Sequence, residues 1–440
     1  MSILVRVGGA LQGLFGQAAQ AAADASGVIQ RRRCFSALSL AQTFVLGFLR
    51  NPRASDEDLA QMAAQGGVAV TPQAIGQRHT PQMAKFLQGL FTRATKIMVG
   101  SDKVLAPILE RFTRVIVLDS TTITLPDGQQ EEFAGCGGPS GSGKAALKLQ
   151  TELDLRTGAL TQVTVESGRS PDKGSSRQQA RYGQGSLRII DLGYFDLAVF
   201  GLVIAAGEHF LSRLHFGTSV LHGDGTSIDL LWWLARQPGQ FVDQWMVLGQ
   251  KQKLACRLIA WRLPLEQANR RRQKLYREVM SKRGRPPCAE RLAWCDWTIL
   301  VTSVPQEQLT SEEAVVMYRA RWQIELLFKR WKSQGLVAAL SGSTESRQMV
   351  RVWSRLLAAL VQHWLIIAGV WGDPTKSLSK ACEAVRRFAD RLAAALRCPA
   401  GLTQILSDLC QILEKTCRRN QRSKPGTWEL LNDVGRLEFR

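Results

Sequence analysis

The chain has no Cys-x-x-Cys pair. Its nine cysteines, from Cys34 to Cys417, are odd in number and scattered. That spacing excludes a clustered zinc site and a disulfide framework, and it suits reduced thiols. Acidic residues are scarce against basic ones, 37 to 57, giving a net charge of +20 and a pI near 10. Such a deficit calls for a polyanionic partner, either nucleic acid or an anionic membrane surface. A long uncharged apolar run is also missing. The most apolar stretch, Val352 to Trp371, holds Arg355, Gln362 and His363 mid-span, so a buried helix is expected there and not a membrane span. Met1 to Gln20 has no compact apolar segment behind a basic one, as a secretory leader would have. Tyrosine is rare: Tyr182, Tyr194, Tyr276 and Tyr318 are the only four, and the last 120 residues have none. A strand-cleaving tyrosine near the C-terminus is thereby excluded.

What is present fills more than one core. At 440 residues two to four domains are expected, and a hydrophobic share of 45% argues against disorder. Residues 1–100 read as helical. Ser55-Asp-Glu-Asp58 is a helix start with an acidic first turn, Gln65-Gly66-Gly67 breaks the helix, and Thr71-Pro72 caps a second one. This is the pattern of a helix-turn-helix, with Gln73, Gln77 and Arg78 placed to read DNA, and equally of any small helical hairpin. Arg114 to Leu118 and Leu187 to Ile190 are short apolar runs fit for buried strands. Leu147 to Leu155 and Leu160 to Val165 form a hairpin through Arg156-Thr157-Gly158. A further strand spans Glu208 to Phe216. Strand-like segments at Trp245 to Leu248, Cys256 to Leu263 and Trp297 to Val301 flank a basic run. In that run, from Arg270 to Arg285, eight cations (among them Arg271, Arg272 and Lys274) face only Glu278. A solvated helix can look like this, but the density favours phosphate binding and so nucleic acid. From Ser311 a helix begins, everything after 345 reads as helical, and Cys417 to Gly426 is a basic segment poor in apolar residues.

Gly138-Pro-Ser-Gly-Ser-Gly143-Lys144-Ala145 resembles a nucleotide-binding phosphate loop. Ala145 stands where a magnesium-binding Ser or Thr is needed, no buried strand precedes it, and the residues after it alternate like a strand. No nucleotide is expected.

Three acids stand out. Asp119 and Asp191 each end a buried-strand signal, and Glu325 lies in Tyr318-Arg-Ala-Arg321-Trp-Gln-Ile-Glu325-Leu-Leu-Phe-Lys329-Arg-Trp-Lys332. At about 100° per residue on a helix, Tyr318, Arg321, Glu325 and Lys332 fall within about 60° of one another. Ile324, Leu327, Phe328 and Trp331 take the opposite, core-facing stripe. Glu–Lys pairs on a surface helix would give the same spacing. Clustered carboxylates are hard oxygen ligands suited to Mg²⁺ or Mn²⁺. Two such ions can activate a water or a 3′-hydroxyl for in-line phosphodiester displacement.

Tyr318, Arg321, Glu325 and Lys332 resemble the Tyr-x2-Arg-x3-Glu-x6-Lys signature of the insertion-sequence-four family of DDE transposases. Asp119 in Val-Leu-Asp-Ser-Thr-Thr and Asp191 in Asp-Leu-Gly-Tyr-Phe look like that family's two aspartate motifs, and Trp297-Thr-Ile-Leu-Val-Thr302 like its run-in to the glutamate helix. The likeness covers roughly 113 to 335. It implies an α/β fold: an RNase H-like core interrupted by a mainly β insertion, for which the 134 positions from Asp191 to Glu325 leave room. Helical regions for DNA binding and dimerisation would stand at both ends. The divisions expected are 1–100, 101–222, 223–302, 303–372 and 373–440. The resemblance further implies cut-and-paste transposition by a cytoplasmic bacterial protein, nucleoid-associated on DNA. Its partners would be the element's terminal inverted repeats, target DNA and a second copy in a synaptic dimer. Asp119, Asp191 and Glu325 would hold two Mg²⁺ or Mn²⁺ ions. Tyr318, Arg321, Lys332, Lys329 and Arg213 would grip phosphates, and Trp297 would stack on a flipped base. Arg271, Arg272 and Lys274 would bind element or target DNA. A catalytically inactive DNA-binding regulator derived from a transposase is the alternative, although a relic has no need of three metal-ligand acids.

Overall fold

A computed structural model describes residues 2–30, 34–137, 143–239, 241–336, 344–420 and 425–437. Most of the phosphate-loop lookalike (138–142) and part of the basic C-terminal segment (421–424) lie outside these residues. The architecture is mixed α/β with helices towards both ends. Ten strands are ordered β3-β2-β1-β4-β5-β10-β9-β8-β6-β7. They are β1 (Val115–Thr124), β2 (Ala146–Asp154), β3 (Leu160–Ser167), β4 (Leu187–Ile190), β5 (His209–Arg213), β6 (Val220–Leu221), β7 (Ser227–Ile228), β8 (Phe241–Leu248), β9 (Leu254–Arg262) and β10 (Trp297–Thr302). The chain forms two compact units. One comprises 1–105, 119–170 and 323–422; the other comprises 106–118, 171–322 and 423–440. Strand β1 crosses the boundary between Leu118 and Asp119.

The first unit is mainly helical. Its centre is the helix Glu345–Val370, whose side chains are buried along nearly all of their length, from Met349 to Val370. Of the helices described, it alone is long and apolar enough to cross a membrane, and 89% of its apolar window is buried in the protein. Around it pack Ala37–Arg50, Pro81–Ala94 and Pro399–Thr416. Pro81–Ala94 begins where Thr80 accepts a bond from Met83 N–H and Pro81 takes the first helical position, and it buries Met83, Phe86, Leu87, Leu90, Phe91 and Ala94 on one stripe. Each large apolar side chain so buried contributes roughly 1.5–3 kcal/mol. Ser55 and Asp58 form a reciprocal cap on Asp56–Gln65, as the sequence suggested. The helix after Thr71, however, is only Pro72–Gly76. Gln73 and Gln77 are exposed at its two ends, and the Arg78 guanidinium lies 5.6 Å from the Phe35 ring centroid. A second helix of five residues has one face of little more than a turn to offer a groove.

The expected hairpin forms as β2–β3, with Leu149 opposite Val165 and Thr151 opposite Val163. Its turn needs Gly158, which has φ +72°, and a Cβ there would stand 2.4 Å from the Trp371 ring. The Gly158 carbonyl accepts a bond from His363 Nε2 at 2.8 Å, fixing the hairpin to the long helix.

The second unit carries the other strands. The first half of β1 runs parallel to β4, and β4 parallel to β5, with the helix Leu197–Ala205 making the crossover between those two. Strand β10 then adds antiparallel to β5 and to β9. Strands β4 and β10 are buried at every position, as central strands covered on both faces should be. The span expected as a strand from Glu208 to Phe216 forms one only over His209–Arg213. Glu208 instead turns inward to pair with the buried Arg188, and its carboxylate accepts the Tyr182 N–H at 2.7 Å.

Candidate active site

Asp191 follows the last residue of β4 and opens a short 3-10 turn, its carbonyl accepting the Tyr194 N–H at 3.0 Å. A rigid central strand thus delivers a carboxylate that is 39% exposed. Arg321 Nε lies 3.5 Å from its Oδ1, with the arginine side chain only 13% exposed. One helical turn earlier, the Tyr318 hydroxyl is buried and makes no well-formed hydrogen bond among the described residues. Burial pushes this phenol up to about 12, and the Asp191 charge adds to the rise, while Arg321 and Arg213 oppose it. Asp191, Tyr318, Arg321 and Arg213 therefore share one electrostatic neighbourhood within the second unit.

Arg213 closes β5 opposite Leu300 of β10, and its charge also acts on Arg271. Arg271 donates to the Trp297 carbonyl at 3.2 Å, and burial lowers its pKa. Arg272 is committed as well, to Asp296, to Asn269 at 2.6 Å and to the Leu292 carbonyl at 3.4 Å. Arg271 thus fastens the basic helix Leu265–Arg283 to strand β10, and Arg272 ties it to the helical turns just before that strand. Arg270 and Lys274 stand out from it, their side chains 74% and 76% exposed, paired along the helix with Glu266 and Glu278. Trp297 is 7% exposed in the hydrophobic core, with the Arg262 guanidinium 6.0 Å from its ring centroid. Stacking on a base would require that ring to be uncovered.

The helix bearing the signature departs from the sequence reading. It is two helices, Ser311–Ala320 and Trp322–Ser333. Arg321 N–H reaches the Tyr318 carbonyl at 3.2 Å, a tighter turn than an α-helix makes. Neither proline nor glycine marks this break. Tyr318 and Arg321 belong to the second unit, and Glu325, Lys329 and Lys332 to the first. Glu325 lies in the first turn of its helix and Lys332 in the last, each at the end where the helix dipole favours its charge. Lys329 and Lys332 are exposed, one and two turns beyond Glu325.

Asp119 is half-buried on β1, its Oδ1 accepting the Ser120 N–H at 2.8 Å. It does not end the strand as the sequence suggested: β1 continues through Thr124, with Thr121 and Ile123 buried. Among the described residues no three His, Cys, Asp or Glu side chains stand together in a group that could hold a metal ion. The donor set of the three candidate acids is nonetheless oxygen-only and suits a hard dication.

Sequence reasoning missed Asp243 and Arg257. Arg257 is 1% exposed on β9 and bound to Asp243. A cation amid Ala255-Cys256-Arg257-Leu258-Ile259 was the available signal.

Residues 110–361, more than half of the chain, match the transposase DDE domain, so this chain belongs to the DDE-domain transposase family. The span includes Asp119, Asp191 and Glu325, and the resemblance drawn from the sequence holds at the level of the family. Among its relatives is the transposase for insertion sequence element IS231B of Bacillus thuringiensis subsp. berliner, 26% identical over 426 residues that cover 90% of this chain and 88% of that protein. The transposase for insertion sequence element IS1151 of Clostridium perfringens is 25% identical over 338 residues, 70% of each chain. The putative transposase InsL for insertion sequence element IS186A of Escherichia coli (strain K12) is 27% identical over 259 residues, 56% of this chain and 65% of that one.

Proposed function

We propose that this protein is an active insertion-sequence transposase, cutting its element from double-stranded DNA and joining the 3′-ends to a target. The observation that carries this reading is the grouping of Asp191, Tyr318, Arg321 and Arg213 inside a matched DDE domain. An RNase H-like core is supported by the strand order 3-2-1-4-5, with β1, β4 and β5 mutually parallel.

In the proposed chemistry Asp119, Asp191 and Glu325 hold divalent ions, Mg²⁺ or Mn²⁺. When bound, these ions lower the pKa of the attacking water or 3′-hydroxyl and neutralise charge on the leaving oxygen. The protein's own groups orient the DNA. Arg321 presents its planar fork to a phosphate and Lys329 and Lys332 act as point charges. Tyr318 stays protonated at any physiological pH, so its buried hydroxyl is available to donate to a phosphate oxygen. Arg321 meets Asp191 now; a phosphate arriving beside it takes over that pairing and leaves the carboxylate to its metal role. The excess of positive charge over the chain supplies the sequence-independent part of DNA affinity. A second copy would complete the synaptic complex.

The test is incubation with element-end DNA and Mn²⁺ or Mg²⁺, comparing wild type with Glu325→Ala. Metal-dependent nicking and strand transfer are expected from wild type alone. Nicking that survives the substitution removes Glu325 from the active site. DNA binding by a wild type that never cleaves selects the inactive-regulator reading.

A further inference from the structure

We propose that Asp243, Arg257 and Ser311 form a buried tie through which the β8–β9 hairpin positions Tyr318 and Arg321; its activity readout rests on the transposase reading above. Arg257 is a cation in the middle of a buried strand, with every donor group aimed at a partner. Its Nε donates to Asp243 Oδ1 at 2.6 Å and its Nη2 to Asp243 Oδ2. Its Nη1 donates to the Leu309 carbonyl at 2.6 Å and, more weakly, to that of Val304 at 3.4 Å. The Ser311 hydroxyl donates to the same Asp243 carboxylate. One ion pair therefore holds strand β8, strand β9, the Val304–Leu309 loop and the first residue of the helix Ser311–Ala320.

Replacing a buried ion pair by apolar residues of similar volume is often neutral or stabilising, so stability alone is a poor reason to have one here. Its physical product is a fixed position. The opposite side of the same helix start is held independently. Arg111 grips Glu313 through two bonds of 2.7 Å and the Gln308 carbonyl at 3.0 Å, while Glu313 closes the Thr310 cap. From Ser311 the helix runs as a stiff rod over Ala314, Val315, Val316 and Met317, all buried. Tyr318 lies seven residues on, about 10 Å along the axis at 1.5 Å per residue. A displacement at the tied end is passed to Tyr318 and, at the helix terminus, to Arg321. Misplacing a phosphate-orienting group by about 1 Å can cost on the order of 100-fold in rate. Asp243, Arg257 and Ser311 touch no reacting atom; they are positioning residues.

Ser311 is the informative position, because Asp243→Ala would strand the buried Arg257 and is expected to unfold the unit. In Ser311→Ala the kcat for end cleavage should fall roughly 10-fold with KM for DNA and Tm nearly unchanged, and Ser311→Thr should restore most of the rate. Because the tie acts through Tyr318, adding Tyr318→Phe to Ser311→Ala should cost less than the product of the two single effects. Adding Lys274→Ala, on the exposed basic helix, should multiply in full. Full multiplication with Tyr318→Phe, or a rate loss that merely follows Tm, overturns the proposal. Should wild type show no cleavage, the transposase reading fails separately. The tie is then judged by backbone hydrogen exchange over 311–321, which Ser311→Ala should accelerate while β8 and β9 stay protected; unchanged exchange overturns it.

Discussion

A buried hydroxyl that lacks a well-formed hydrogen bond forgoes about 1 kcal/mol of folding stability. Among the described residues the Tyr318 hydroxyl makes no well-formed hydrogen bond, and it stands beside Asp191, Arg321 and Arg213, where the proposed function gives it a phosphate to bind. Tyr318→Phe removes the oxygen and leaves the packed ring. We expect its Tm to equal or slightly exceed that of wild type, with end cleavage reduced roughly 10-fold when this one phosphate bond is missing. A drop in Tm matching the drop in rate would show that the hydroxyl is structural. Lys332 and Lys329 differ from Tyr318 in being exposed, so their removal should weaken DNA affinity more than the rate constant.

At the scale of elements, two helices carry contrasting tests. The long helix Glu345–Val370 buries His363, whose pKa is pushed down to about 4 by burial, with the Gly158 carbonyl bond opposing and the Arg330 charge assisting. The folded protein therefore keeps this imidazole neutral, while the unfolded chain takes a proton near 6.5. Stability from this residue is complete above pH 6.5 and is lost progressively down to about pH 4, by on the order of 3 kcal/mol. Thermal melts of wild type between pH 7 and 5 should show the decline, and His363→Gln should flatten it; equal slopes would refute the assignment. The helix Leu265–Arg283 separates its cations by role. Arg270→Ala with Lys274→Ala should lower the salt dependence of DNA binding by up to about 0.9 for each phosphate no longer neutralised, leaving Tm unchanged. Arg272→Ala should instead lower Tm, since Asp296 and the Leu292 carbonyl lose their partner. This division was illegible in the sequence, where Arg270, Arg271 and Arg272 are a run of identical letters. Apolar alternation and capping chemistry made β2, β3, β4, β9, β10 and the Ser55 cap readable, because those signals are local. The break at Arg321 and the inward turn of Glu208 were not, since tertiary partners decide them. The candidate acids were legible through resemblance as well as local context, whereas the Asp243–Arg257 tie needed the pairing of β8 with β9 to be seen.

On the scale of the whole molecule, the proposed function asks a protein of net charge +20 to set three carboxylates where DNA phosphate reacts. Without divalent ions each of them repels the substrate, and Asp191 also draws on Arg321, a cation proposed for phosphate. The combined variant Asp119→Asn, Asp191→Asn, Glu325→Gln removes three negative charges, taking the formal net charge from +20 to +23. In the presence of a chelator this variant should bind duplex DNA several-fold more tightly than wild type, since a like-charge contact at about 4 Å costs on the order of 1 kcal/mol in water. Adding Mn²⁺ should then tighten wild-type binding and leave the variant unchanged, because only the carboxylates recruit the ion. Both differences should shrink as salt is raised and screening shortens the reach of each charge. Weaker binding by the variant in chelator would mean that the acids shape the DNA surface directly, and equal Mn²⁺ responses would place the ion elsewhere. A filter-binding titration of both proteins, in chelator and with Mn²⁺, thus separates the electrostatic cost of an acidic centre from its catalytic use.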